Sequence, residues 1–229
     1  MIHYLDPKTD VVFKKIFGNH AYLLIDFLNA VLPLPGENTI VELEYLSNEQ
    51  ISRVLDGKNS IADVRCRDAQ GRAFIVEMQI AWSDSFQNRL LFESCVTHAQ
   101  QLKRGEDYRS LQPTYGLALV NAVFDRESET SYHRFRMTRE GTPDRVMENL
   151  EVILIELPKI RGKLHQLDRR SLWLRFMMEI GPETREVAPE LLAVPTIREA
   201  IELAKEAGYS EQNYIFMTET GMRLVESEP

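Results

Sequence analysis

Ser60-Ile61-Ala62-Asp63-Val64-Arg65-Cys66-Arg67-Asp68-Ala69-Gln70-Gly71-Arg72-Ala73-Phe74-Ile75-Val76-Glu77-Met78-Gln79-Ile80-Ala81 holds two alternating runs around a turn-like segment, Asp68 to Arg72, with a glycine near its end. The pattern predicts a β-hairpin. Side chains alternate along a strand, so Ile61, Asp63, Arg65 and Arg67 share one face of the first strand while Ala62, Val64 and Cys66 share the other. On the return strand Ala73, Ile75, Glu77, Gln79 and Ala81 fall together, opposite Phe74, Val76, Met78 and Ile80. If Ala69-Gln70-Gly71 is the loop, with Gly71 left-handed, Arg67 pairs with Ala73 and Asp63 lands opposite Glu77. Directly opposed residues have Cβ atoms about 4.5–5.5 Å apart, where two like charges need a neutraliser. A divalent cation fills that role, because Mg²⁺ is commonly held by one or two carboxylates with water and phosphate oxygens. The competing reading pairs Asp63 with Arg65 or Lys58 and leaves Glu77 as a solvated strand residue. Against it stands the apolar run on both sides of Glu77, which carries the carboxylate into a buried setting where unpaired charge is expensive.

Upstream of the hairpin, residues 9–18 open with a capping residue, place Val12, Phe13, Ile16 and Phe17 on one side and stop at Gly18, predicting a short amphipathic helix. A second helix is expected over His20–Leu32, with Leu23, Leu24, Phe27, Leu28 and Val31 on its apolar face, followed by a strand over Ile40–Leu46. Downstream, Asp84 caps a helix running to Arg104 before Gly105, with Phe86, Leu90, Leu91, Cys95, Ala99 and Leu102 as its seam. Pro113–Val123 is a near-continuous apolar run, the mark of a strand buried on both faces, and Tyr132–Met137 and Leu150–Leu157 read as further strands. From Asp168 the pattern is helical, with Leu172, Trp173, Phe176 and Met177 facing inward, then Thr196–Ala207 ending at Gly208. The expected fold is α/β, a mixed central β-sheet flanked by helices, with residues 1–165 as the main domain and 166–229 as a helical C-terminal extension.

The chain has 229 residues, 44% hydrophobic and 27% charged, in the range of a folded globular protein and not of a disordered or fibrous one. No stretch approaches the roughly 18 apolar residues of a membrane helix, and Met1 to Lys8 lacks the layout of a signal peptide, so a cytoplasmic protein without a membrane partner is expected. Cys66 and Cys95 lack metal-type spacing and read as small core residues in a reducing compartment. The histidines, His3, His20, His98, His133 and His165, show no ligand pairing. A net charge of −8 argues against tight non-specific binding of nucleic acid, although a carboxylate-held cation supplies positive charge locally where a scissile phosphate would lie.

Asp63 at a strand end, then Glu77-Met78-Gln79 on the next strand, preceded by a short helix, resembles the PD-(D/E)XK nuclease superfamily. Asp10-Val-Val-Phe-Lys-Lys-Ile-Phe-Gly18, Phe86 with Arg89, Gln101-Leu-Lys-Arg-Gly-Glu-Asp-Tyr108 and Ile155-Glu-Leu-Pro-Lys159 narrow the resemblance to the Rpn group of recombination-promoting nucleases, also described as transposases, over residues 5 to 175. The resemblance implies a restriction-endonuclease-like core and Mg²⁺- or Mn²⁺-dependent hydrolysis of DNA, in the setting of recombination, mobile elements or phage defence. Asp63 and Glu77 would be the metal ligands and Gln79 the third catalytic position, where many relatives carry a lysine. Gln79 cannot supply that charge but can hydrogen-bond the water or phosphate. Phe92 stands where relatives tend to carry a Tyr. Asp10 is a helix cap or an accessory site residue, Arg89 an accessory residue, and Lys14, Lys15 and Lys103 are candidates for phosphate contacts; a homodimer is compatible with this reading. The alternative is a nuclease-fold protein of weak or no catalytic activity that binds DNA or protein.

Overall fold

The structure, a computed structural model, describes residues 3–34, 36, 39–46, 63–160 and 166–205; Lys58, His165, the first three hairpin residues 60–62 and the expected helix end at 206–208 lie outside them. In chain order the elements are α1 (Asp10–Phe13), continued by a π-helical turn (Lys14–Gly18), α2 (Ala21–Val31), β1 (Leu43–Tyr45), β2 (Val64–Asp68), β3 (Ala73–Gln79), α3 (Asp84–Ala99), a 3-10 turn (Tyr108–Ser110), β4 (Thr114–Val120), β5 (Tyr132–Arg139), β6 (Thr142–Glu156), α4 (Leu157–Ile160), α5 (Arg169–Glu179), α6 (Pro189–Leu192) and α7 (Pro195–Leu203). Contacts gather them into two compact units, residues 1–30 with 164–229, and residues 31–163.

In the first unit, the stripe Val12, Phe13, Ile16 and Phe17 is fully buried, and so are Leu23, Leu24 and Phe27 of α2. Asp10 is not the cap of α1: Thr9 occupies that position, and Asp10 sits in the first turn, 2.5 Å from the Lys14 ammonium. The aromatic rings make the centre of this unit. Phe17 lies 4.9 Å from Phe27 and 5.6 Å from Trp173 between centroids, and Phe27 lies 5.8 Å from Trp173. The Trp173 indole N–H donates to Asp26 Oδ2 at 2.9 Å, so the ring is buried without a lost hydrogen bond. Asp168 caps α5 by accepting from the Ser171 amide at 3.1 Å, while α7 stops at Leu203, short of the expected Ala207.

The second unit is built on a mixed six-stranded sheet in the order β1-β2-β3-β4-β6-β5. β1, β2 and β3 run antiparallel, β3, β4 and β6 parallel, and β5 returns antiparallel along β6. β4, every residue of it buried, is the central strand that its apolar run predicts. β1 is shorter than the expected Ile40–Leu46. β6 begins at Thr142, well before the expected Leu150, because its first half pairs with β5 through Met137↔Met147 and Thr138↔Val146 as an exposed ribbon. An exposed ribbon has no core face and so leaves no alternation to read.

α3 packs on the sheet through Phe86 and Leu90, which meet Ile75, Ala118, Val120, Val152 and Leu154. Its cap is Ser83 rather than Asp84, and it ends at Ala99 rather than Arg104. The buried stripe is also rotated from the expected seam: Phe86, Leu90, Glu93, Ser94 and Thr97 are buried, whereas Leu91, Phe92, Cys95 and Ala99 are exposed. The polar members of that stripe have partners beneath them. Arg65 donates to the Thr97 hydroxyl at 3.0 Å, and Ser94 Oγ donates to the Leu90 carbonyl at 2.7 Å. Gly116 on β4 lets the helix come this close, since a Cβ there would lie 2.4 Å from Ser94 Oγ.

Candidate metal centre

β2 and β3 pair in the register Arg67↔Ala73, Arg65↔Ile75 and Val64↔Val76, which sets Asp63, one residue before β2, across from Glu77. Gly71 takes φ +84°, the left-handed conformation that a three-residue loop needs. Asp68 locks the turn, accepting from the Gln70 and Arg72 amides at 3.0 and 2.9 Å and pairing with the Arg72 guanidinium at 2.6 Å. The strand break at Asp63 has its own anchor: the Met78 amide donates to Asp63 Oδ2 at 2.7 Å. A short, tightly braced hairpin therefore holds both carboxylates at one end of the sheet.

Glu77 is 3% exposed, on the sheet face that α3 covers. α3 presents two residues to it. Arg89 donates to Glu77 Oε2 at 3.4 Å and lies 3.9 Å from Glu93 Oε1, its guanidinium resting 5.2 Å from the Phe86 ring centre. Glu93 is fully buried and adjoins Glu77. Among the described residues no close hydrogen-bond donor is set on Glu77 Oε1, and the Glu93 carboxyl lies within hydrogen-bonding reach of the Glu77 carboxyl. Burial first, then the charges of Asp63 and Glu93, push the Glu77 carboxyl well above the ordinary range, and Arg89 offsets only part of this. Glu93 is raised too, by burial, against the pull of Arg89. Asp63, Glu77 and Glu93 thus form a desolvated carboxyl cluster, with the Arg89 and Arg65 charges acting on it among the described residues.

Gln79 closes the motif at the end of β3, half-buried, with its side-chain amide donating to the Ala81 carbonyl at 2.6 Å. The opposite amide oxygen is the end left to meet a water. Asp10, Lys14 and Lys15 belong to the other compact unit, where Asp10 and Lys14 pair with each other. Lys103 stands exposed in the turn after α3, its backbone amide donating to Glu106 Oε2 at 2.7 Å. The segment 101–108 is built as a connector: Gln101 donates to the Gln112 carbonyl and the Thr114 hydroxyl, both at 2.9 Å, and accepts from the Gln112 amide. The Glu156-Leu157-Pro158-Lys159 run is structural as well. Buried Glu156 accepts from the Phe124 and Asp125 amides at 2.6 and 3.0 Å and pairs with His133 and Lys159. Lys159 in turn donates to the Asp125, Ser128 and Thr130 carbonyls, fastening the loop between β4 and β5.

Glu93 is the site neighbour that sequence reading missed. Its signal was present: it falls three residues after Leu90 and seven after Phe86, on the face those residues bury. Assigning the seam to Leu91 and Cys95 turned Glu93 outward.

The residues present fit a hard divalent cation. Two carboxylates of a fixed hairpin, one with a buried oxygen to which none of the described residues donates, offer the hard oxygen ligands such an ion takes. Among the described residues no three His, Cys, Asp or Glu side chains form a cage, so water and phosphate oxygens would complete the shell, as is usual for Mg²⁺. A mixed sheet of this order, flanked by helices and carrying the carboxylate hairpin at one end, defines the class: a restriction-endonuclease-like α/β fold. The family model described as PD-(D/E)XK nuclease family transposase matches residues 7–222, and the chain belongs to that family. No curated protein and no solved structure matches it. Membership brings a nuclease-like function.

Proposed function

We propose that this protein is a divalent-cation-dependent endodeoxyribonuclease that hydrolyses phosphodiester bonds in double-stranded DNA, with Asp63 and Glu77 as metal ligands and Gln79 as the third catalytic residue. The observation that carries the reading is the buried Glu77, set opposite Asp63 by the hairpin register, with an oxygen to which none of the described residues donates. A bound Mg²⁺ or Mn²⁺ lowers the pKa of a coordinated water and polarises the phosphate. Asp63, held by the Met78 amide, and Glu77, held by its strand, keep two ligand positions fixed before substrate arrives. Gln79 accepts a hydrogen bond from the attacking water through its amide oxygen and orients it without supplying charge. The free thiols Cys66 and Cys95 and the lack of a long apolar helix among the described residues support a cytoplasmic setting.

One observation favours a second reading, a nuclease fold that binds DNA or protein without cutting. Gln79 is tied to the Ala81 carbonyl and stands where a lysine would carry positive charge to the water. Plasmid cleavage with and without Mg²⁺, for wild type, Asp63→Ala and Glu77→Ala, separates the two. Cleavage that needs the metal and falls about 100-fold or more in both variants is expected from loss of a metal ligand. Purified wild type that leaves the plasmid intact in Mg²⁺ and in Mn²⁺ would establish the binding module instead.

A further inference from the structure

Among the described residues of the second unit, Arg72, Arg134 and Arg89 each pair with a buried carboxylate, and Arg89 differs from the other two. Arg72 meets Asp68 at 2.6 Å, and Arg134 meets Glu151 through two bonds of 2.7 Å, geometries of settled, charge-assisted pairs. Arg89 reaches Glu77 only at 3.4 Å and Glu93 only at 3.9 Å, and its side chain is 44% exposed. It bridges two carboxylates without completing a close bond to either, and none of the described residues donates to Glu77 Oε1. Its guanidinium rests on the Phe86 ring, a contact that lets an arginine pivot because a ring face imposes no single donor direction. A long, half-exposed cation of this kind stands beside the buried carboxylates as a loose counter-charge.

We propose that Arg89 is a displaceable counter-ion of the metal-free site: it holds Glu77 and Glu93 together in the absence of metal and yields that place when a divalent cation binds. The proposal rests on the reading of Asp63 and Glu77 as metal ligands. Once released from the carboxylates, Arg89 remains beside them, where its fork of donors suits a phosphate oxygen pair. The residue thus has two successive anionic partners, carboxylate without metal and phosphate with it. Competition of this kind has a distinctive sign. A residue that merely supports the site weakens metal binding when it is removed, whereas a competing cation strengthens it.

The test is Mn²⁺ titration without DNA, followed by the loss of the free-Mn²⁺ electron paramagnetic resonance signal, on the full chain and variants checked for folding by thermal unfolding in EDTA. Arg89→Met keeps the side-chain bulk and removes the charge, and it is expected to bind Mn²⁺ roughly three- to tenfold more tightly, the scale of a half-exposed ion pair acting on a divalent ion. Arg89→Lys restores a charge and returns affinity toward wild type. Arg109→Met, which removes an exposed arginine of the 3-10 turn, leaves it unchanged. Arg89→Met binding no tighter than wild type, while Glu77→Gln loses binding, overturns the displacement and leaves the metal site standing. Equal binding by Glu77→Gln and wild type overturns the site reading, and the displacement with it.

Discussion

Two glutamates of this sheet have almost no surface open to solvent, and their surroundings are opposite. Among the described residues Glu77 has a distant arginine, two acidic neighbours and one oxygen without a donor, whereas Glu156 is wrapped by two amides, His133 and Lys159. Burial raises the pKa of both carboxyls, but for Glu156 the hydrogen bonds from Lys159, the Asp125 and Phe124 amides and His133 outweigh burial and hold it below its ordinary value. The donors that reach each carboxyl set the direction of its shift: several hold Glu156 down, and Arg89 alone offsets only part of what raises Glu77. A depressed carboxylate contributes stability above its unfolded pKa and loses that contribution as pH falls through the folded value. Glu156→Gln should therefore cost about 3 kcal/mol at pH 7, the scale for breaking a buried ion pair. That deficit should shrink as pH drops below the ordinary value of 4.5. Urea unfolding of both proteins across this range reads the difference, and a deficit that stays constant with pH would assign the effect to packing rather than to the charge.

α3 shows how one helix can be read correctly as a helix and wrongly as a surface. Its apolar residues admit more than one seam at helical spacing, and the seam through Leu91 and Cys95 looks better by hydrophobicity than the one the fold uses. The polar stripe is buried because Arg65 on β2 waits beneath Thr97, and because β4 offers a glycine where the helix crosses. Neither partner is local in sequence to α3, so no pattern within the helix reveals the choice. The glycine makes a sharp prediction. Gly116→Ala places a methyl 2.4 Å from Ser94 Oγ. The strain should destabilise the protein by about 1–3 kcal/mol. Ser94→Ala removes the clashing hydroxyl, so the double variant should recover most of the loss in a double-mutant cycle of unfolding free energies. Additive losses in that cycle would place the strain elsewhere.

Helices more than a hundred residues apart in the chain share the core of the first unit, where Phe17 and Phe27 meet Trp173 and Tyr4 bridges to Lys205. Trp173→Ala should cost about 3–5 kcal/mol, the usual range for emptying a large aromatic site. Denaturant unfolding measures it, and a loss under 1 kcal/mol would mean that the ring is not central to this core. Local rules determined a good deal of this protein from sequence alone: the hairpin, its glycine turn and its register, the buried central strand, and the placing of Asp63 across from Glu77, because alternation and turn chemistry act over a few residues. Tertiary structure alone decided that Glu93 would stand against Glu77, that α3 would bury its polar stripe, and that α1 and α2 would share a compact unit with the C-terminal helices. Those outcomes depend on which surfaces meet, and a surface acquires its neighbours only when elements distant in sequence compete to cover it.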